Sequence, residues 1–444
     1  MSAPVGSDTS PPRDLKPRYV VAWLLCALFY LYQYAARSAP GVMQEQLAAA
    51  WGGNHIGSTI SAYYVAYALT ALAAGLLLDR YGAARVIPYA IALVGIGCVV
   101  FAQGSETAGI SGFVLQAIGA VFSFVGASYV AARYLPARMY AMFMGLTQCV
   151  GMLGAAVGSK PVQMAIDPAG SYGVSWQGVW LAFAVIGFVL VAVTRIVMPP
   201  EKSASASRHE PLSFRSLTNP FKVVLGNVQS WLAGSIGGLL FVPTTIGAMV
   251  WATSFLHNGQ NISMADAASD ASMIPIGWII GCPLLGYISD KIGHRKPVLL
   301  GGALLMLVAA IAAVYLPEGV LPRYSVPLVL GIGSGAAMIP FTMIKEANPP
   351  PVKGTAAGVM NFLVFLTTGI MSPFVSHLMP PASDALLSLH QFQKGFVPLI
   401  VGIVLAIILS FIIRETGVGH LPSEQEAPAT PAKGASQVPV ENIS

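Results

Sequence analysis

Twelve runs of roughly 20 apolar residues, set close together along 444 residues, constrain this chain more than any other feature. As a helix, each run is long enough to cross about 30 Å of hydrocarbon. The runs cover 19–48, 57–79, 84–103, 108–133, 138–163 and 176–198, then 228–257, 266–289, 296–315, 324–346, 352–379 and 393–414. With 55% apolar residues, 9% charged residues and a mean hydropathy of +0.70, a soluble fold is excluded. The expected fold is therefore an all-α membrane protein, twelve transmembrane helices in two pseudo-symmetric six-helix bundles. The bundles span 19–198 and 228–414, with a polar segment over 1–18, a Ser- and Pro-rich linker over 199–227 and a tail over 415–444. The linker reads as flexible, with a short interfacial helix near 214–224, and the Pro/Ala/Glu-rich tail as disordered.

Charge placement sets the orientation. Of the 23 lysines and arginines, all but Arg37, Lys160, Arg323 and Lys394 fall at loops and termini on one side, which the positive-inside rule assigns to the cytoplasm. Both termini are then cytoplasmic. The first 18 residues are polar and the first apolar run is too long for a signal-peptide core, so no cleavable signal is read here. The four cysteines, Cys26, Cys98, Cys149 and Cys282, lie inside apolar runs without metal-binding or CxxC spacing and read as small packing residues.

One motif occurs twice. Gly75-Leu-Leu-Leu-Asp79-Arg80-Tyr-Gly82-Ala-Ala-Arg85 returns 211 residues later as Gly286-Tyr-Ile-Ser-Asp290-Lys291-Ile-Gly293-His-Arg295-Lys296. Each copy sits between two apolar runs, so each is read as a tight charged loop in which glycines let the chain reverse. A period this long marks a duplicated bundle and not a solenoid. The motif between the second and third spans, repeated between the eighth and ninth, resembles the signature of the major facilitator superfamily. The resemblance covers essentially 19–414. One departure stands out: that family usually places a base directly after the second glycine, whereas Ala83 and Ala84 delay it to Arg85.

Arg37 is the first candidate for binding. It lies about 28 Å up the first helix from Arg18, and Tyr30, Tyr34 and Arg37 share one face by their i, i+4, i+7 spacing. A guanidinium at that depth costs at least about 2.5–3.5 kcal/mol unless it meets water or an anion. It is read as a fork for a substrate carboxylate or phosphate, against snorkelling to the outer headgroups or bonding to carbonyls freed by Pro40. The organic-anion members of the family resembled here also carry an arginine late in a Tyr-rich first helix. Lys160 lies at the outer end of helix 5, either snorkelling or drawing an anion inward. Gln148 and Asn361, 213 residues apart in helices 5 and 11, fall near the midplane and read as hydrogen-bonding groups, either for substrate or between helices. Tyr64 and Tyr67 in helix 2 are assigned to the cavity or the aromatic belt, and Trp251 follows a Pro243 kink in helix 7. For the gate, Asp79 is expected to pair with Arg133 and to face the start of helix 11 near Gly354, and Asp290 to pair with Lys345, when the inner side is closed. Arg80, Arg85 and Lys291 complete the charged loops as positive-inside anchors.

No Walker loop, metal-ligand cluster or nucleophile–base grouping occurs, so neither an enzyme nor an ATP-driven pump is read here, and no cofactor or metal is called for. No carboxylate lies at mid-depth, and Gly112-Phe113-Val114 lacks the arginine that symporters of that family often carry at the start of helix 4. Helix 5 also lacks the Gly-Pro pattern of many drug antiporters. These features weigh against proton coupling and against drug export. The reading is a monomeric secondary transporter or facilitator in a bacterial inner (plasma) membrane, working by alternating access between the two halves. Its partners are the lipid bilayer, a small polar substrate (an organic anion, amino acid or short peptide) and a coupling ion, proton or sodium; nucleic acid is not among them. Helices 1, 2 and 7 also resemble bacterial facilitators akin to the lysosomal dipeptide transporters. Efflux of an amphiphile, or a transporter-like ligand sensor of the kind related to sugar-phosphate permeases, are the alternatives.

Overall fold

The computed structural model describes residues 16–53, 55–136, 139–167, 172–198, 214–317, 319–379 and 389–417. Most of the expected linker and tail, and residues 1–15, lie outside these. Among the described residues, twelve helices are long and apolar enough to cross a membrane. In chain order they are α1 (Pro17–Val42), α2 (Ile56–Tyr81), α3 (Ala83–Phe101), α4 (Glu106–Tyr134), α5 (Met142–Ile166) and α6 (Trp176–Val197). The second set is α7 (Val228–Gly259), α8 (Met264–Ile292), α9 (Lys296–Tyr315), α10 (Ser325–Glu346), α11 (Pro350–Leu378) and α12 (Leu389–Ile412). Among the described residues there is no strand. A further amphipathic helix, Phe214–Gly226, precedes α7.

Two irregular segments bear on the site, each at a proline. Pro40 lacks an N–H, and α1 ends there in a 3₁₀ turn, Ala39–Val42; what the sequence read as its last turns is a separate helix, Gln44–Trp51. Pro243 opens a π-helical stretch, Pro243–Trp251, inside α7. The two irregular segments touch. Gln44 Nε2 donates to the Val250 carbonyl and Ser254 Oγ to Gln44 Oε1 (3.0 Å).

The halves repeat one packing plan. In the first, α4 packs on α2 and α3, α3 on α6 and α1 on α5; in the second, α10 packs on α8 and α9, α9 on α12 and α7 on α11. The α8–α10 crossing is close because Gly281 and Gly335 meet there, and a methyl group on either would strike the opposite backbone. Between halves, α2 packs on α11 and α5 on α8.

The repeated loops are shorter than the sequence suggested. α2 continues through Asp79 and Arg80 to Tyr81, and only Gly82 separates it from α3. Gly82 and Gly293 make the turns, with φ of 78° and 74°. Gly75 and Gly286 instead stay helical and line a cavity.

That cavity opens at the basic face, between α2, α4, α5 and α8, α10, α11, and encloses about 690 Å³. The opposite face is sealed by bonds between the halves. Ser61 Oγ donates to the Gly369 carbonyl (2.7 Å), Ser372 Oγ to that of Gly57 (3.1 Å) and Lys160 Nζ to that of Ala265 (2.6 Å).

Candidate functional site

The cavity reaches mid-depth at Phe124, Gln148 and Asn361. Asn361 bonds back to the Ala357 carbonyl of its own helix (3.1 Å). Gln148 Oε1 takes a hydrogen bond from the Tyr30 hydroxyl (3.2 Å), which lies 3.3 Å from the Tyr34 hydroxyl. Beyond these groups lies a layer of aromatic rings. Tyr64 stacks on Phe365 of α11 and Tyr67 leans on the same ring, at 5.8 and 4.2 Å between centroids. Phe241 of α7 packs against Phe365 from the other side. The layer therefore joins the two halves.

Arg37 sits behind this layer with 2% of its surface exposed. Its guanidinium lies 3.7 Å from the Tyr34 ring centroid and 5.6 Å from that of Tyr64, so two electron-rich ring faces receive the charge. None of its three nitrogens has a hydrogen-bond partner. The titratable side chains nearest it are the neutral tyrosines Tyr34, Tyr64, Tyr63 and Tyr30, with no carboxylate among them. The neighbouring Tyr63 hydroxyl donates to Gln33 Oε1 (3.2 Å), and its oxygen lies within reach of the Arg37 charge. Arg37 thus neither reaches the headgroups nor bonds to carbonyls near Pro40. A buried cation with empty donors is costly, and an anion placed there would fill them.

The structure therefore brings Tyr30, Tyr34, Tyr64, Tyr67 and Arg37 into one cluster, with Gln148 linking it to the cavity. Asn361 faces the cavity but not Arg37's cluster. Lys160 lies apart, at the sealed face. Trp251 is 1% exposed with its indole N–H unpartnered.

At the open face, Asp79 and Arg133 interact only at a distance and make no ion pair; both are exposed. Arg80 lies against Tyr81 and Arg133 against Tyr129, each 5.7 Å from the ring centroid. Arg85 and Lys291 are exposed. Asp79, Lys345 and Gly354 line the same cavity. Asp290 pairs in this open state with Arg295 and not with Lys345. Arg295 also holds Glu346 (2.8 Å) and Ser289 Oγ (3.1 Å). Its backbone N–H and that of Lys296 donate to Glu415 (2.8 and 3.0 Å), which caps the start of α9. Hydrogen bonding to Glu346 raises the Arg295 guanidinium above its ordinary value. Burial works against the Glu415 charge, yet the backbone N–H groups of Arg295, Gly417, Lys296 and Thr416 hold its carboxyl below the usual range.

Sequence reasoning did not single out Phe365, Gln33, Arg295, Glu346 or Glu415. Phe365 carried a usable signal, one turn after Asn361 on the same face of α11.

Comparison with known proteins fits this architecture. A bacterial homologue of the human lysosomal transporter Spinster, solved in an inward-facing and unoccupied conformation, superposes with a TM-score of 0.72 at 15% identity, covering 90% of this chain and 98% of that one. A D-xylose transporter of Levilactobacillus brevis is 30% identical over 145 residues, which is 32% of this chain and 31% of that protein, so the chain spans about a third of that relative's length. A gallate transporter of Pseudomonas putida is 23% identical over 329 residues, 66% of this chain and 71% of its own length. Residues 22–373 match the family model of the Major Facilitator Superfamily. Two matched six-helix bundles around a cavity open at one face, with that match over most of the chain, place it in the Major Facilitator Superfamily, as a multi-pass membrane transporter and not an enzyme.

Proposed function

We propose that this transporter carries a small organic anion and that Arg37 is the group that holds its carboxylate. The observation that carries this reading is the buried guanidinium with three unpartnered nitrogens inside a tyrosine cage. A carboxylate fills two of those donors at once, and the surrounding rings suit a flat or short carbon frame. The gallate transporter among the relatives moves a carboxylate, which supports the same class. We also take the basic face as cytoplasmic, following the charge count, so that the cavity is inward-open and the tyrosine layer separates it from Arg37. Substrate entering from the cavity then displaces Tyr30 from Gln148 before it meets the arginine, and Gln148 and Asn361 bond its polar groups.

The test is a ligand panel on the purified full chain, read by thermal shift and by uptake into proteoliposomes. Aromatic and aliphatic carboxylates are expected to stabilise the wild type and to lose that effect in Arg37→Gln. Arg37→Lys is expected to impair uptake sharply, because a point charge does not reproduce the bidentate fork. Stabilisation by neutral D-xylose that survives Arg37→Gln, with no carboxylate effect, would overturn the reading.

A further inference from the structure

The mouth of the cavity carries two lysines for which the structure provides no counter-charge. Lys345 ends α10 and Lys353 begins the regular part of α11, and both line the cavity wall. Among the described residues neither makes an ion pair or a hydrogen bond. They are close enough for their charges to interact. The carboxylates nearest in sequence are already engaged. Glu346, adjacent to Lys345, is bound to Arg295 and to the Thr416 hydroxyl (2.7 Å). Asp290, on the same cavity wall, is also taken by Arg295. Asp79, across the mouth, reaches neither lysine in this state. Next to Lys353, Gly354 has no atom within 4 Å of where a Cβ would stand, so the space there is empty.

We infer that Lys345 and Lys353 form a second anion site at the cavity mouth, separate from Arg37, for a soluble multivalent oxyanion or carboxylate. Two like charges on one wall of the mouth, Lys345 half-buried and Lys353 exposed, repel each other, and one dianion between them removes that cost in a single event. A monovalent anion neutralises only one ammonium and binds more weakly. Lysine suits such a site because its ammonium is a compact point charge that accepts anions of varied shape. An anion there also occupies the cations that Asp79 faces across the mouth. Its binding therefore favours the open state, in which those cations are free. The site does not depend on the identity of the transported solute.

Radiolabelled inorganic phosphate, in equilibrium dialysis against the purified full chain at constant chloride, tests the site. Phosphate is expected to bind the wild type and Arg37→Gln alike, and to bind Lys345→Gln/Lys353→Gln at least tenfold more weakly. Lys345→Arg/Lys353→Arg is expected to keep binding, which separates loss of charge from loss of fold. Alkylation of Cys282, which lines the cavity, is expected to speed up with phosphate in the wild type, Arg37→Gln and the double arginine variant, and not in the double glutamine variant. Binding abolished by Arg37→Gln and kept by the double glutamine variant would place the anion at Arg37 and overturn the inference, as would no phosphate binding above the chloride background. A lipid headgroup offers the same phosphate chemistry. Equal binding in phosphatidylcholine and phosphatidylglycerol nanodiscs is expected, and loss in the latter would assign the lysines to lipid and overturn the soluble site.

Discussion

The two copies of the Gly–Asp loop share a spacing and part company in their bonds. Asp290 belongs to a closed network: Arg295 ties it to Glu346, and Glu415 from beyond α12 caps the start of α9 in the same place. Asp79, its counterpart, has no ion pair among the described residues. The cause lies in two positions. Where the second copy has Arg295, the register of the first places Ala84, and its cation comes one residue later as the exposed Arg85. The end of α10 also supplies Glu346 where α4 ends in Tyr134. One copy is thus a fixed joint within its own half, and the other leaves its carboxylate available to the opposite half. Duplicated sequence has become two different parts of one machine.

The largest effect should come from breaking the fixed joint. Arg295→Ala strips Glu346 and Asp290 of their shared guanidinium, while Glu415 keeps its bond from the backbone N–H at that position. Its cost is expected at about 2–4 kcal/mol, a fall in Tm of roughly 5–10 °C. Arg85→Ala, the first copy's nearest equivalent, is expected within about 0.5 kcal/mol of wild type. Thermal unfolding of both variants in detergent decides it, and equal losses would mean that the loops are alike after all.

How far these differences were legible depends on the reach of each signal. The twelve helices and the doubled loop follow from hydropathy and local spacing, which sequence displays directly. Tyr30, Tyr34 and Arg37 could be grouped because one helix places them on one face. The absence of a base at Ala84 was also visible. What filled that role in the other copy was not, because Glu346 and Glu415 stand 51 and 120 residues from Arg295 and meet it only through packing. Phe365 stands between these cases: its place one turn after Asn361 is local and legible, but its stacking on Tyr64 across the interface between halves is not. The π-helical stretch of α7 left only Pro243 as a trace, and a proline signals a break without naming its kind.

The next contrast is a single change made in both copies. Asp79→Asn removes a charge that acts between halves, and Asp290→Asn one that acts within a loop. If the closed-mouth contact of Asp79 amounts to about 1.4 kcal/mol, losing it shifts the open-to-closed ratio about tenfold. Alkylation of Cys282 from the cavity reads that ratio. Asp79→Asn is expected to raise the labelling rate, and Asp290→Asn to leave it unchanged while lowering Tm slightly. Identical labelling in the two variants would remove the distinction between joint and gate.

A smaller gain should follow from lending the first copy what it lacks. Ala84→Arg gives Asp79 a partner inside its own loop, in the register that Arg295 holds toward Asp290. Such an exposed pair contributes about 0.2–1 kcal/mol, so only a slight rise in Tm is expected. The pair also competes for the carboxylate when the mouth closes, so Cys282 labelling should rise as it does in Asp79→Asn. A rise in Tm with unchanged labelling would show that Asp79 has no role on the opposite half.

The smallest effect concerns acid. Glu415 has its carboxyl held below the usual range by four backbone N–H groups, so the folded chain binds its proton less readily than the unfolded one. Its stabilising contribution is complete above the ordinary glutamate value of about 4.3 and disappears as pH falls through the lowered folded value. At neutral pH the fixed joint is therefore at full strength, and it loosens only under acid below about pH 4.3. Asp79 stands outside this network, so the gate side should not share the loss. In Glu415→Gln the side chain still accepts from backbone N–H groups with one oxygen but carries no charge. The variant is expected to melt slightly below wild type at pH 7 and to converge with it as the pH is lowered. A difference in Tm that stays constant from pH 7 to pH 3 would show that the carboxylate charge is not what binds the tail segment to the start of α9.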